Sequence, residues 1–141
     1  MFKNILVGYD GSKGGKAALN GAAALAEKFS SSVTAVWVRE PLPRYSDLPG
    51  EFEEEAGVAD EYFQARQKEV AEIGGQYGIS IACETCAGHP AKAILKFAAE
   101  GHYDLIVVGH SDHSELWGRL LGDTADRISD HAQCSVLVVK T

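Results

Sequence analysis

Hydroxyl, acidic and histidine side chains follow the apolar run DLIVVG in the second half of the chain. Gly109 and Ser111 occupy two positions of the G-x-S-x-G turn, which projects a strained nucleophilic serine from the end of a strand. His113 replaces the second glycine of that turn. The later acid and base, Asp130 and His131, are adjacent on a helical pattern and do not face each other. The spacing therefore argues against a serine hydrolase.

The glycines of the same segment favour a different chemistry, the binding of a nucleotide phosphate. Gly109 ends an apolar run and Gly122 precedes a helical pattern. Glycine lets the backbone approach phosphate oxygens closely, and a helix N-terminus offers unpaired N–H groups with a positive potential. The segment thus predicts a phosphate-binding loop, provided that the elements around it form a suitable frame.

The elements that would position this loop alternate along the chain. Apolar or β-branched runs predict strands at residues 3–7, 32–38, 79–85, 105–108 and 135–139. Helical patterns follow Ser12, begin at Glu51, start near Pro90 and cover residues 120–131. The inward face predicted for the first helix consists of Ala17, Ala18, Ala22, Leu25, Ala26 and Phe29. Such alternation predicts an α/β fold, a parallel sheet with helices on both faces.

In a sheet of this kind, ligands bind beyond the carboxyl ends of the strands, where the strand order reverses. The candidate turns are residues 8–12, residues 38–40 and the segment from Gly109 onward. Asp10 and Val38 also have structural alternatives, because an aspartate can bond turn amides and a strand-end valine can be part of the core. Both alternatives remain open at the level of the sequence.

Amino-acid composition and net charge argue against some classes of binding partner. The 141 residues predict one domain, and 20 acidic against 13 basic residues give a formal charge of −7, which disfavours nucleic acid and anionic membranes. The apolar runs are too short for a signal peptide or a membrane span. Three cysteines do not form a disulfide framework, so we expect a cytoplasmic protein.

Several segments together resemble the universal stress protein family over essentially the whole chain. They are ILVGYDGS, GHPAKAILKFA, DLIVVG with Gly122, and DRISDHAQCSVLVV. The resemblance implies a five-stranded Rossmann-like sheet of the adenine nucleotide alpha hydrolase type, with strand order 3-2-1-4-5, usually in a dimer. One branch of this family binds ATP and another does not. In the ATP-binding branch, an aspartate in the YDGS-like turn contacts the nucleotide, and the end of strand two flanks the base.

The phosphate motif of the ATP-binding branch, G-x2-G-x9-G-[ST], is only partly present. Gly109 and Gly122 match its outer glycines, whereas Asp112 replaces the middle glycine and Asp123 the hydroxyl residue. Thr124 comes one position late. A carboxylate ~4 Å from a phosphate oxygen repels it by several kcal/mol at an intermediate dielectric. Mg²⁺ could bridge the two groups, and Asp123 could instead cap the last helix.

We therefore expect a non-catalytic stress-response protein with weak or no ATP binding. The alternative is a nucleotide-dependent switch that binds ATP, with Mg²⁺, or AMP or another adenine nucleotide. The candidate nucleotide-binding residues are Gly8, Tyr9, Asp10, Val38, Val108, Gly109, Asp112, Gly122, Asp123 and Thr124. The last strand, Ser135–Val139, is edge-like and apolar, and we expect it to form a homodimer. A protein partner is also expected, of a kind that the sequence does not identify.

No catalytic residue or metal ligand is predicted. Cys83 and Cys86 have C-x2-C spacing but no second pair, and in a strand they would point to opposite faces. We expect Cys83 to be buried in the core. A histidine-rich site formed by His89, His110 and His113 is the alternative for metal binding, without the ligand spacing to support it.

Overall fold

The computed structural model of the chain describes residues 1–39, 49–110 and 123–141, with the backbone alone for residues 49–56 and 123. Five strands form one parallel sheet in the order β3-β2-β1-β4-β5. They are β1 (Asn4–Gly8), β2 (Ser32–Arg39), β3 (Ile81–Ala87), β4 (Leu105–Gly109) and β5 (Ser135–Val139). The predicted fold class and strand order are confirmed.

Within the described residues, four helices cover the two faces of this sheet. They are α1 (Lys13–Phe29), α2 (Pro49–Gln76), α3 (Pro90–Glu100) and α4 (Asp123–His131). Ile5 and Val7 of β1 pack with α1 and α2, whereas Leu6, which points the other way, packs with α3 and α4. We call the two halves of the molecule the α1–α2 side and the α3–α4 side. None of the helices in the described ranges is long and apolar enough to cross a membrane.

The inward face of α1 differs in part from the prediction. Leu19 and Ala23 are completely buried, although the sequence pattern did not include them. Phe29 was predicted to face inward and is 44% exposed. It is the last residue of α1, and its ring packs edge-on against Phe2 at a centroid distance of 6.3 Å. The end of the helix therefore contacts the amino-terminal residues of the chain instead of the sheet.

The boundary between α2 and β3 also differs from the prediction. The helix begins at Pro49, before the predicted Glu51, and the strand begins at Ile81 instead of Ile79. The backbone N–H of Ile79 donates to the carbonyl of Gly74 at 3.0 Å, so Ile79 belongs to the turn that closes the helix. Gly78 makes that turn with a φ of +69°.

The two cysteines of β3 point to opposite faces, as predicted. Cys83 packs against the core of the α1–α2 side and Cys86 against that of the α3–α4 side. Cys83 is half-buried, so it packs against the core as expected but is less buried than expected. The reason is that β3 is an edge strand, paired with β2 on one side alone among the described residues.

Candidate functional site

A cavity of about 350 Å³ opens at the carboxyl ends of β1, β2 and β4. It lies where the strand order reverses, since β1 has β2 on one side and β4 on the other. Seven of the ten candidate residues line it, namely Gly8, Tyr9, Asp10, Val38, Val108, Gly109 and Thr124. Residues that the sequence analysis did not select also line it, among them Ser12, Gly15, Val36, Pro90 and Ile94.

The inner wall of the cavity is apolar. Val36 and Val108 are almost completely buried and belong to the core of the α3–α4 side, and Val38 packs against them. A side-chain carbon at Gly8 would lie 3.0 Å from Cδ1 of Ile94, so the glycine keeps this wall free of a projecting group. The result is a smooth hydrocarbon surface between β1, β2 and α3, suited to the face of a planar ring.

A hydrogen-bonded turn forms the polar rim. Oδ1 of Asp10 accepts from the backbone N–H of Ser12 at 2.9 Å, and Oγ of Ser12 accepts from the N–H of Gly15 at 3.0 Å. Gly11 between them has a φ of +84°. Asp10 therefore bonds a turn amide, as its structural alternative proposed, and it also borders the cavity. Asp10 therefore both orders the turn and lies on the rim.

A contact between two glycines fixes the end of β4. A side-chain carbon on Gly109 would overlap the backbone of Gly14, and one on Gly14 would overlap the carbonyl oxygen of His110. The first turn of α1 thus lies directly on the end of β4. The backbone N–H of His110 donates to the carbonyl of Val139 at 3.0 Å, which ties the same end to β5. The glycine expected to admit a phosphate therefore also has a packing role.

Side chains of α2 support the rim from the α1–α2 side. The hydroxyl of Tyr62 donates to the carbonyl oxygen of Asp10 at 2.7 Å, and that of Tyr9 donates to Oε1 of Glu69 at 2.6 Å. Nη2 of Arg66 donates to Oε2 of Glu69 at 2.9 Å. Burial first, and then the bond to Glu69, raise the pKa of Tyr9 well above its usual range.

Sequence reasoning missed this group, because it predicted a helix from Glu51 without assigning any of its side chains to the site. Tyr62, Arg66 and Glu69 recur at intervals of four and three residues, which places them on one face of the helix. That spacing was the available signal. It did not indicate what the face contacts.

Three candidate residues cannot be placed in the cavity. Asp112 and Gly122 lie outside the described residues, as do Ser111 and His113. Asp123 is the first residue of α4, but its side chain is not described, so the proposed cap is untested. Its neighbour Thr124 does line the cavity.

A metal site gains no support from the described part of the chain. His89 precedes α3 and makes no side-chain cap bond there. Within the described residues, no three His, Cys, Asp or Glu side chains come together in a way that could hold a metal ion.

His131, the base of the rejected hydrolase interpretation, lies away from the cavity. His131 ends α4 and lines a second hollow, of about 450 Å³, together with His102 and Cys134. Those residues precede β4 and β5, so this hollow is at the amino ends of the strands. Gly109 and the cavity are at the carboxyl ends. His131 and Gly109 therefore lie at opposite ends of the sheet.

Comparison with known proteins gives one consistent family. The model of the universal stress protein family matches residues 1–140. A universal stress protein of Methanocaldococcus jannaschii is 34% identical, over 99% of this chain and 83% of its own. A universal stress protein solved in complex with cAMP has a TM-score of 0.74 at 24% identity and covers 97% of this chain and 96% of its own. One from Archaeoglobus fulgidus in complex with dAMP has a TM-score of 0.68 at 20% identity and covers 99% of this chain and all of its own.

Proposed function

Because the chain belongs to the universal stress protein family, we propose that it is a non-catalytic cytoplasmic stress-response protein whose cavity binds the adenosine part of a nucleotide. The observation that carries this proposal is the cavity at the carboxyl ends of β1, β2 and β4, which seven of the ten predicted residues line. A nucleoside or a mononucleotide is the expected ligand, and ATP is expected to bind weakly or not at all.

The shape and chemistry of the cavity support an adenosine ligand. Val36, Val38 and Val108 offer the apolar surface on which a purine would lie, and Asp10, whose carboxylate is a hydrogen-bond acceptor, borders the same cavity. A volume of about 350 Å³ is at the low end for small-molecule pockets, which favours a small ligand. The structurally similar proteins that bind cAMP and dAMP hold nucleotides with a single phosphate, which agrees with this choice.

Two acidic residues of the loop support the expectation that ATP binds more weakly than a monophosphate. Asp112 and Asp123 occupy the two positions at which the ATP-binding branch has a glycine and a hydroxyl residue. Each carboxylate repels a phosphate placed beside it, and a triphosphate brings more negative charge into the loop than a monophosphate does. The sequence identifies no clear general base for hydrolysis, so hydrolysis is not part of the proposal.

Titration calorimetry with adenosine, AMP and ATP tests this function. We expect AMP and adenosine to bind with micromolar dissociation constants, and ATP without Mg²⁺ to bind at least about tenfold more weakly, which is ~1.4 kcal/mol. Adding Mg²⁺ is expected to reduce the difference in affinity between AMP and ATP. If no adenine compound binds, the proposal is wrong. Tight ATP binding without metal would instead favour the alternative, an ATP-dependent switch.

Variants of the two aspartates test the electrostatic explanation. Combining Asp112→Gly with Asp123→Ser restores the residues of the family motif, and we expect it to strengthen ATP binding while leaving adenosine binding unchanged. The matched control is Asp126→Ser, which removes an exposed carboxylate elsewhere on α4. The double variant removes two carboxylates and the control removes one. If the gain in ATP affinity per carboxylate removed is the same in both, the gain comes from the net charge of the protein and not from the position of the two aspartates in the loop.

We further propose that β5 forms the homodimer interface. Among the described strands, only β4 pairs with β5, so one edge of β5 presents its backbone groups to a partner. Leu137, in the middle of this strand, is 38% exposed. Light scattering at micromolar concentration is expected to give the mass of a dimer, and Leu137→Lys that of a monomer. Val58→Lys, at an exposed valine of α2, is the control and is expected to remain dimeric.

A further inference from the structure

The turn at residues 9–12 is held from outside the cavity by side chains that no family motif in the sequence includes. The Tyr62 hydroxyl reaches the Asp10 carbonyl at 2.7 Å, and Glu69 accepts from the Tyr9 hydroxyl at 2.6 Å. Two consecutive residues of the rim are thus bonded to one helix, α2. In the sequence, these partners are separated by 52 and 60 residues.

Tyr62 is itself held between two other side chains. The guanidinium carbon of Arg66 lies 4.2 Å from the centre of the Tyr62 ring, a cation–π distance. The ring of Trp37 lies 4.7 Å from that of Tyr62, and Phe63 stacks on Trp37 at 6.3 Å. These contacts keep the hydroxyl of Tyr62 aimed at the turn although the residue is 40% exposed.

Arg66 also closes over the turn. A side-chain carbon at Gly11 would overlap its guanidinium, so the turn and the arginine are in direct contact. Nε of Arg66 lies 2.9 Å from Oε1 of Glu69, the oxygen that accepts from Tyr9. Tyr9, Arg66 and Glu69 therefore form one connected polar group behind the rim. A displacement of α2 would remove the support of the turn at both Tyr9 and Asp10.

We propose that Tyr62, Arg66 and Glu69 are positioning residues of the nucleotide site, which fix the Asp10 turn so that α2 docking and ligand binding are coupled. This inference rests on the proposed adenine-nucleotide function of the cavity. Coupling between two equilibria is reciprocal, so contacts of α2 that strengthen ligand binding are themselves strengthened by the ligand, by the same factor. Trp37 lies against Tyr62 and reports the change.

The test compares two substitutions that each remove one tyrosine hydroxyl. Tyr62→Phe loses the bond to Asp10, and Tyr77→Phe loses a bond of 3.1 Å to Oδ1 of Asn20, away from the cavity. We expect Tyr62→Phe to weaken AMP binding roughly three- to tenfold. Tyr77→Phe is expected to leave AMP binding unchanged, because a general loss of stability does not act on the turn.

Two further measurements separate this inference from the function on which it rests. Hydrogen exchange of the Gly11 and Ser12 amides, measured without ligand, is expected to be faster in Tyr62→Phe and unchanged in Tyr77→Phe. In a Trp117→Phe background, where Trp37 is the one remaining tryptophan, AMP is expected to change the fluorescence.

The outcomes are distinguishable. If wild-type protein binds no adenine compound, the proposed function fails, and the exchange measurement alone still decides whether α2 positions the turn. If the wild type binds AMP and Tyr62→Phe matches it in both affinity and exchange, the positioning role is wrong. If the fluorescence does not change on binding, the coupling to α2 is overturned.

Discussion

At the carboxyl edge of the sheet, the two sides of the molecule are built differently. On the α1–α2 side, Tyr9 and Trp37 project large rings from the strand ends, and α2 covers them with Tyr62, Arg66 and Glu69. On the α3–α4 side, the strand ends carry Val36, Val38 and Val108 beside a glycine, and a cavity remains. The same five strands thus end in a filled space on one side and an open one on the other.

The difference follows from side-chain volume at alternating positions. Successive residues of a strand point to opposite faces, so Gly8 and Val38 can leave room on one side while their neighbours fill the other. The filled side is polar as well as aromatic, and its bonds end on the turn that borders the cavity. The open side therefore provides the volume of the cavity, and the filled side provides the contacts that hold its rim.

The largest expected effect comes from the contact that holds α1 against β4. Gly109→Ala places a carbon where the backbone of Gly14 already lies, and neither backbone can move without displacing a helix or a strand. We expect the free energy of unfolding, measured in urea, to fall by about 3 kcal/mol, the upper end for overpacking. Binding of AMP should be lost at the same time.

Gly75→Ala is the matched control for that substitution. Gly75 is an exposed glycine of α2 with no atom within 4 Å of the added carbon. The alanine is expected to raise the free energy of unfolding by up to about 1 kcal/mol, because it favours the helix. If Gly109→Ala lowered the free energy of unfolding by less than about 0.5 kcal/mol, α1 and β4 could move apart at little cost. The contact between Gly109 and Gly14 would then be less rigid than we expect.

The next largest effect is expected from a substitution that fills the cavity on the α3–α4 side. Val38→Trp places an indole in the cavity from a half-buried strand end, and we expect AMP affinity to fall at least about tenfold, or ~1.4 kcal/mol. Stability should change little, because the ring enters existing space. Val58→Trp, at a valine that is 65% exposed, is the control and should bind AMP normally. Normal binding by Val38→Trp would place the ligand elsewhere.

Most of the frame could be predicted because its signals are local. Runs such as ILVG and LIVVG identify strands, and alternation with helices identifies a parallel sheet, so the cavity was expected where Asp10, Val38 and Gly109 meet. The strand order came from family resemblance. The start of β3 was missed by two residues, because Ile79 is apolar like a strand residue but bonds back to Gly74.

The support of the rim could not be predicted, because its signals are not local. Tyr62 and Glu69 act on residues more than fifty positions earlier, and a polar helix face is ordinarily a solvated one. The packing of α2 on β2 through Trp37 brings this face over the turn. The same holds for Gly14, whose role depends on how close α1 comes to β4.

The smallest expected effect concerns the tyrosine hydroxyl inside the filled side. Burial and the bond to Glu69 raise the pKa of Tyr9 far above the value of about 10 in an unfolded chain. The folded state therefore keeps this proton at a pH where the unfolded state releases it. The resulting stabilisation is complete below about pH 10 and is lost as the pH rises further.

Tyr9→Phe has no hydroxyl to titrate, so the difference between wild type and variant isolates the contribution of this group. At pH 8 we expect wild-type protein to be more stable by about 1 kcal/mol, the value of one hydrogen bond. As the pH rises above 10, the difference between wild type and variant in urea unfolding should shrink, and it should vanish within about one pH unit. Parallel pH curves for the two proteins would show that Tyr9 titrates alike in the folded and unfolded states. The filled side would then be accessible to water, and the contrast between the two sides would be one of shape alone.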